Sequence, residues 1–389
     1  MGNEPGEIED GPWQKGHCRR EDPQRVWSDC GRGGDRSTQG SESPELLKLS
    51  LAAAMTLGFE KGLFHRGARL SCANLLLTYA DGCRGRCAYC GLSSNRAADP
   101  RGRTFIRVRW PAYPLEEILE RLKARQDRLH RVCISMVTHA RASRDAREIC
   151  EKVRSRTDLP VSILVGPTVL RPGDLEAFRD AGADKIGVAI DLATASLFEK
   201  YRGRGVAGPH RWETYWKCLE EALSVFGAGN GGAHFIVGMG ETEKDMCRSI
   251  QAVRDMGGST HLFSFYPEAG SLLQDRSPPP LAVYRRIQLA RYLIDRRMAR
   301  EESFAYGPKG QISDFGIAQE LVDRIVSSGE PFRTSGCTGA DGQVACNRPY
   351  GNSRPGEEIR NYPFPPTPED LARIRFQLKG WMSAHRVAY

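Results

Sequence analysis

Three cysteines lie close together in the segment DGCRGRCAYCGLSSNR, where Cys83, Cys87 and Cys90 follow a C-x3-C-x2-C spacing. Thiolates are preferred ligands of zinc, Cu(I) and iron–sulfur clusters. A structural zinc site closes with four ligands and usually has a second C-x2-C or H-x3-5-H pair, and neither follows in this sequence. Three thiolates fit a [4Fe–4S] cluster in which one iron stays open for a small chelating ligand. The alternatives are a zinc loop and three unrelated buried cysteines.

The composition indicates a large protein with a substantial core. The chain has 389 residues, of which 40% are hydrophobic and 27% charged, which suits one large domain or two. It has no run of about 18 apolar residues that would span a membrane, and its first residues lack the layout of a signal peptide. In such a chain, 12 cysteines indicate reduced thiols and metal ligands rather than disulfides. We therefore expect a cytoplasmic protein without a membrane partner.

The charge of the chain bears on its partners. A net charge of +8 favours an acidic partner. The sequence contains no signature of an RNA-binding module, so nucleic acid is not an expected partner.

The chain divides into three stretches. Residues 1–43 are rich in glycine, serine and charge, and we expect a disordered tail. Its Cys18 and Cys30 are either ligands that reach back onto the fold or, more simply, part of this flexible segment. Residues 44–300 alternate strand and helix patterns. Residues 301–389 are rich in proline, glycine and arginine, and we expect a loop-rich C-terminal extension that holds an auxiliary cluster.

Six apolar segments of the middle stretch have the length and composition of strands. They are NLLLTY, RVCISMV, VSILVG, DKIGVAIDLA, GAHFIVGMGET and THLFSFYPEAG. Amphipathic helix patterns lie between them, and this alternation predicts a parallel sheet wrapped by helices. Six strands suit a partial (β/α)6 TIM-like barrel of the α/β class, with its chemistry at the carboxyl ends of the strands. The opening segment, residues 44–64, is predicted to be a helix with Ser43 as its N-cap.

Two strand ends carry candidate binding residues. Gly238 and Gly240 lie in a turn followed by Glu241 and Thr242, and glycines at such a turn let the backbone approach a ligand closely. The alternative is a tight turn in which Thr242 caps the next helix. Asp191 ends an apolar strand, where a buried carboxylate needs partners. The alternative for Asp191 is an N-cap of the helix that follows.

The C-terminal stretch contains a second pair of cysteines, Cys337 and Cys346, on either side of a glycine-rich insert. An ordered loop of this length usually has a function or a metal that holds it, and a second iron–sulfur cluster would fit. Two thiolates are too few, so Cys133 is the first candidate for a further ligand and Cys72 the reserve. Ser335 or another oxygen or guanidinium donor would complete the set. The alternative is two incidental cysteines. The remaining cysteines fall in helix patterns and are expected in the core: Cys150, Cys218 and Cys247.

The cysteine loop resembles that of the radical S-adenosylmethionine (SAM) superfamily, and Tyr89 matches the aromatic residue usual before the third cysteine. The resemblance implies that the triad holds a [4Fe–4S] cluster whose open iron binds the amino and carboxylate groups of SAM. One electron then cleaves SAM to a 5′-deoxyadenosyl radical. The resemblance also implies SAM-binding roles for Tyr89, Asp191, Gly238, Gly240 and Glu241. A further candidate is Arg202, which would balance the SAM carboxylate.

Six segments that run in one order from about 45 to 370 resemble biotin-synthase-like proteins, specifically the two-component lipoyl synthase of archaea and some bacteria. They include IGVAIDLATASLFEKYRGRG, HFIVGMGETE and the tail segment PFRTSGC…CNRPYGNSRPG. In those relatives the two tail cysteines are closer together, and here TGADGQVA lengthens the spacing.

This resemblance implies sulfur insertion at unactivated carbons of an octanoyl chain on a carrier protein, with the auxiliary cluster consumed as the sulfur donor. The expected partners are an octanoylated or lipoyl carrier domain, a paralogous radical SAM enzyme, and an electron donor such as ferredoxin or flavodoxin. Two alternatives stay open: a single-cluster radical SAM enzyme of another cofactor-biosynthesis or methylation pathway, and a non-enzymatic zinc-binding protein. Iron content separates the two-cluster enzyme from the single-cluster alternative, because two clusters hold about eight irons and one cluster holds about four.

Overall fold

The computed structural model describes residues 42–94, 96, 104–105, 108–349, 356 and 358–384. The predicted disordered tail, with Cys18 and Cys30, lies outside the described residues except for its last two positions. No helix in the described part of the chain is long and apolar enough to span a membrane.

Eight strands of the described chain form one sheet. In chain order they are β1 (Leu46–Leu49), β2 (Cys72–Leu77), β3 (Ala112–Pro114), β4 (Arg131–Ser135), β5 (Val161–Val165), β6 (Ala183–Asp191), β7 (Gly231–Val237) and β8 (Ser259–Ser264). Their spatial order is β3-β1-β2-β4-β5-β6-β7-β8. The strands from β2 to β8 in this order pair in parallel, whereas β1 pairs antiparallel with both β2 and β3. The six predicted strands are the six parallel ones.

Helices connect the parallel strands and cover the outer face of the sheet. They are α2 (Leu115–Ala124), α3 (Ala142–Arg156), α4 (Asp174–Asp180), α5 (Ala195–Tyr201), α6 (Trp212–Phe226), α7 (Glu243–Asp255) and α8 (Leu281–Asp295). In α2 the buried residues recur at the spacing of one helix face: Leu115, Ile118, Leu119 and Leu122. The result is the predicted partial (β/α)6 TIM-like barrel, whose strands deliver the cysteine loop at one end.

The prediction of an opening helix was wrong. Residues 46–49 form β1, and only the six residues of α1 (Leu51–Thr56) are helical. Ser50, not Ser43, is the N-cap, and its hydroxyl accepts a hydrogen bond from Ala53 N at 3.2 Å. Pairing with strands on both sides satisfies the β1 backbone and buries Leu47 and Leu49 completely. These distant partners override the local helix propensity.

The C-terminal stretch contains regular structure that the sequence analysis missed. A short hairpin of β9 (Ala305–Tyr306) and β10 (Ile312–Asp314) precedes α9 (Gln319–Ser328), and α10 (Pro368–Ala384) follows later. In α9 the buried residues Val322, Ile325 and Val326 have helical spacing, and Gly329 ends the helix with φ 73°. This short amphipathic pattern was the available signal.

The segment between α9 and α10 closes the amino-terminal end of the barrel. Arg131, the first residue of β4, donates from Nε to the carbonyl of Thr338 at 2.8 Å and pairs with Asp184. The side chain of Asn347 accepts a hydrogen bond from Ser71 N at 3.2 Å, immediately before β2. Fully buried Arg285 of α8 donates to the carbonyls of residues 359 and 360 at 2.6 and 2.7 Å. These contacts place the two tail cysteines under the barrel.

Candidate functional site

The cysteine loop follows β2 at the carboxyl end of the sheet, as predicted. The Cys83 sulfur accepts hydrogen bonds from Gly85 N at 3.3 Å and Thr138 N at 3.4 Å. The Cys90 sulfur accepts one from Leu92 N at 3.4 Å. Backbone N–H groups aimed at sulfur stabilise a thiolate. The loop therefore presents its sulfurs as ligands rather than packing them as ordinary apolar groups.

Space around the loop is restricted. A Cβ atom on Gly85 would lie 3.2 Å from Cys83 Sγ, 3.2 Å from His210 Nε2 and 3.3 Å from Thr138 Oγ1. Burial raises the pKa of Cys87 to about 11, and it also raises the pKa of Cys90. Both thiols are therefore protonated at neutral pH until a metal displaces their protons.

Asp191 lies beside this loop, at the end of β6, in a left-handed conformation with φ 67°. Its Oδ2 accepts hydrogen bonds from the hydroxyl of Tyr89 at 2.7 Å and the guanidinium of Arg202 at 2.6 Å. Arg202 also donates to the hydroxyl of Tyr215 at 3.1 Å. Burial raises the pKa of Asp191, and the positive charge of Arg202 opposes this shift. The N-cap alternative was wrong, because Thr194 caps α5.

The free side of this carboxylate is suited to a ligand. No described residue forms a hydrogen bond with Asp191 Oδ1, and Asp191, Tyr89 and Arg202 all line one cavity. A carboxylate held through one oxygen can accept hydrogen bonds from ligand hydroxyls through the other. Because Arg202 is bound to Asp191 and Tyr215, its predicted pairing with a SAM carboxylate stays a prediction.

The Gly238 turn follows β7 and lies outside the residues that line the cavity. Gly238 and Gly240 have φ values of 105° and 116°, and the carboxylate of Glu241 accepts from Gly238 N at 2.6 Å. A Cβ atom on Gly238 would lie 2.6 Å from Pro279. Thr242 caps α7 in a capping box. Packing and capping thus account for this turn, and the SAM contact from Gly238, Gly240 and Glu241 stays a prediction.

The second group of cysteines gathers at the other end of the barrel. Cys133 points inward from β4, as predicted, and lines the cavity with Cys337 and Cys346 from the tail. The amide of Asn74 lies 3.6 Å from the sulfur of Cys346 and 3.8 Å from that of Cys72. A hydrogen bond from Cys72 lowers the pKa of Cys346, against the effect of burial.

The structure separates the candidates for a further ligand at this group. Ser335 accepts a hydrogen bond from Leu262 N at 3.0 Å and does not line the cavity, so its hydroxyl is an unsuitable ligand. Cys72 touches Cys346 but does not line the cavity either. Arg348 lines the cavity, with its guanidinium 4.2 Å from the ring centre of Phe263.

A single cavity of about 240 Å³ joins the two cysteine groups. Its middle is lined mainly by apolar side chains, among them Leu76, Met136, Leu164, Ile236 and Phe263. No three His, Cys, Asp or Glu side chains of the described residues converge on one metal ion. Convergence on one ion is not required of a [4Fe–4S] cluster, in which each cysteine binds a different iron. The donor sets at the two ends therefore fit iron–sulfur clusters.

The sequence analysis missed the histidines of this cavity, which are His210, His234 and His261. His234 and His261 are register partners on β7 and β8, and their ring centres lie 5.3 Å apart. Both line the cavity. The strand alternation His234–Ile236 and His261–Phe263 was the signal that could have placed them inside. Burial lowers the pKa of His261 to about 3 and lowers that of His234 well below its ordinary value.

Comparisons with known proteins agree with this geometry. The family model of the Radical SAM superfamily matches residues 77–253. The chain is 25% identical over 237 residues to the biotin synthase of Brucella anthropi, covering 60% of this chain and 66% of that protein. It is 24% identical over 233 residues to biotin synthase 2 of a Polaromonas species, covering 59% and 64%. The chain thus spans slightly less than two thirds of the length of these relatives.

Among solved structures, HydG, a maturase of the [FeFe]-hydrogenase, is similar with a TM-score of 0.46 and 10% identity, covering 63% of this chain and 53% of that one. The superfamily match is independent of this weak likeness. It implies a [4Fe–4S] cluster and SAM, for which the loop cysteines and the Asp191 network offer ligands. Residues 77–253, which match this family model, carry both the loop and this network.

Proposed function

We propose that this protein is a radical SAM enzyme that inserts sulfur into an aliphatic chain, as one step of lipoyl formation from a protein-bound octanoyl group. The observation that carries the proposal is the cavity, which joins two groups of three cysteines through an apolar middle. The similarity to biotin synthases supports the reaction class. The lipoyl assignment rests on the tail segment with Cys337 and Cys346.

The chemistry explains why such a site needs two metal groups. An aliphatic C–H bond offers no charge to acid–base catalysis, so bound cofactors supply the radical and the sulfur. The residues of the chain hold and separate these reactive groups. The loop cysteines ligate one cluster, and the Asp191 network positions SAM. The apolar middle receives the hydrocarbon chain and excludes water that would quench a radical.

The second group supplies the remaining requirement, a place for sulfur next to the hydrocarbon. Cys133, Cys337 and Cys346 line the cavity, so a cluster bound there would face the substrate. Asn74 lies 3.6 Å from the sulfur of Cys346 and His261 lies 3.9 Å from that of Cys337. Polar groups at these positions suit a cluster with negative charge.

The partners belong to this proposal. An octanoylated or lipoyl carrier domain brings the substrate, and a net charge of +8 would steer an acidic carrier domain toward this protein. A paralogous radical SAM enzyme makes the other insertion. An electron donor such as ferredoxin or flavodoxin reduces the loop cluster.

Anaerobic reconstitution with an octanoyl-lysyl peptide tests the proposal. We expect about eight irons per chain and a peptide that gains sulfur when SAM and a reductant are added, as detected by mass spectrometry. About four irons with SAM cleavage but no sulfur product would indicate the single-cluster alternative. Zinc in place of iron, without SAM cleavage, would indicate a zinc-binding protein. Cys218→Ala, in the buried face of α6, is a matched control that should keep all activity.

A further inference from the structure

Both tail sulfurs of the second cysteine group have a side-chain partner on a barrel strand. Asn74 of β2 lies 3.6 Å from the sulfur of Cys346, and His261 of β8 lies 3.9 Å from that of Cys337. In the loop, Cys83 and Cys90 instead accept backbone N–H groups. The barrel interior thus contributes polar side chains to the tail cysteines, and of these two partners only His261 is ionisable.

The position of the proton on His261 follows from its two ring nitrogens. Nε2 lies 3.9 Å from the sulfur of Cys337. Nδ1 is buried and makes no hydrogen bond of ordinary length and angle with the described residues, and the backbone of Ser335 interacts only weakly with the ring. A histidine that ligated iron through Nε2 would carry its proton on Nδ1, where the N–H would be buried without a well-placed acceptor. Metal-bound histidines almost always donate that second N–H. The proton therefore belongs on Nε2, facing sulfur.

The ring of His261 is held inside the cavity. It is only 6% exposed and lines the cavity together with Cys337 and Arg348. Its position beside the sulfur is therefore fixed by the strand that carries it.

We propose that His261 is a positioning residue of the second iron–sulfur site, which donates its Nε2 proton in a hydrogen bond to the sulfur of Cys337. The inference rests on the second cluster of the proposed function. An N–H donor withdraws electron density from a cluster thiolate and raises the reduction potential of the cluster. His261 would therefore set the potential of the sulfur-donating site without binding iron.

The test uses a background in which only the second cluster can form, the variant Cys83→Ala/Cys87→Ala/Cys90→Ala. Adding His261→Leu should keep the iron and shift the midpoint potential to a more negative value. His261→Gln should restore part of the shift, because its amide also offers an N–H. His234→Leu is the matched control, since His234 lines the same cavity without a described hydrogen bond to a cysteine sulfur. We expect a smaller shift from that control. Potentials are read by redox titration with electron paramagnetic resonance.

Three results would overturn the inference. One is an unchanged potential in His261→Leu. The second is a strong nitrogen coupling to the cluster in pulsed resonance spectra that disappears in His261→Leu, which would make His261 a ligand. The third is loss of iron from both His261→Leu and His261→Gln. A background variant that holds no iron at all overturns the proposed function, and with it the inference. If the background variant holds about four irons and His261→Leu leaves the midpoint potential unchanged, the inference is overturned but the proposed function is not.

Discussion

The two cysteine groups lie at opposite ends of one cavity and are assembled in different ways. The loop group comes from a single short segment after β2, in which the sulfurs of Cys83 and Cys90 accept backbone N–H groups. The second group combines a barrel strand with a tail, so that the Asn74–Cys346 contact joins residues 272 positions apart. A local loop can form a site from spacing alone, whereas the second site exists only in the folded barrel.

One thiol of the second group differs from the others. Burial raises the pKa of Cys87 in the loop to about 11 and that of Cys133 in the second group to about 12. For Cys346, the hydrogen bond from Cys72 lowers the pKa, and the charge of Arg348 acts in the same direction. Both ends therefore rely on iron to displace protons, while the surroundings of Cys346 favour its thiolate.

Removing the loop cysteines should have the largest effect. The variant Cys83→Ala/Cys87→Ala/Cys90→Ala is expected to lose about four of about eight irons and all SAM cleavage. Iron, sulfide and 5′-deoxyadenosine are measured after reconstitution. Complete loss of iron would show that the second group binds no cluster of its own, which contradicts the two-cluster proposal. The buried helix cysteines supply the control: Cys150→Ala and Cys247→Ala should leave the iron content unchanged.

Removing the second group should separate SAM cleavage from product formation. The variant Cys133→Ala/Cys337→Ala/Cys346→Ala should also lose about four irons, yet it should still form 5′-deoxyadenosine. No sulfur should enter the peptide, because the donor site is gone. Mass spectrometry of the peptide gives the result. Sulfur transfer at the wild-type rate would place the donor elsewhere.

Asp191→Asn should weaken the structure that supports the loop. The change leaves buried Arg202 without its carboxylate, and loss of one partner from such a pair costs about 3 kcal/mol. Urea unfolding measures this loss, and equilibrium dialysis should show weaker SAM binding. The exposed ion pair of Arg300 and Asp255 is the control, and Arg300→Met should leave both quantities unchanged. Equal effects of the two variants would contradict the importance of burial.

Gly85→Ala should produce the smallest effect and confine it to the loop. The new methyl group would crowd Cys83, His210 and Thr138, at a cost of about 1 kcal/mol. We expect faster loss of the loop cluster during dialysis, with the second cluster retained. Gly166→Ala is the control, because a Cβ atom there meets nothing within 4 Å. A variant that loses both clusters at the same rate would argue against local crowding.

Local patterns were sufficient to predict the barrel and the first site. Each parallel strand is a short apolar run, each helix has apolar residues at the spacing of one helix face, and the three loop cysteines lie within one segment. The inward direction of Cys133 was also predictable once β4 was assigned. The opening segment was not, because β1 depends on pairing with β2 and β3 rather than on its own propensity.

The surroundings of the second group could not be read from the sequence. Asn74 faces Cys133 through the register of β2 and β4, and His234 faces His261 through that of β7 and β8. Registers between strands distant in sequence follow from the assembled sheet. For the same reason Ser335 seemed available as a ligand, whereas in the fold its hydroxyl is bound to β8.

The tail that closes the amino-terminal end of the barrel also imposes an order on biosynthesis. Once residue 264 has left the ribosome, all six parallel strands and the loop cysteines exist, but Cys337 and Cys346 have not yet been translated. The second site becomes available only when the tail has been made and has docked under the strands. A chain that stopped short of position 337 would carry the cysteine loop without the second cysteine group.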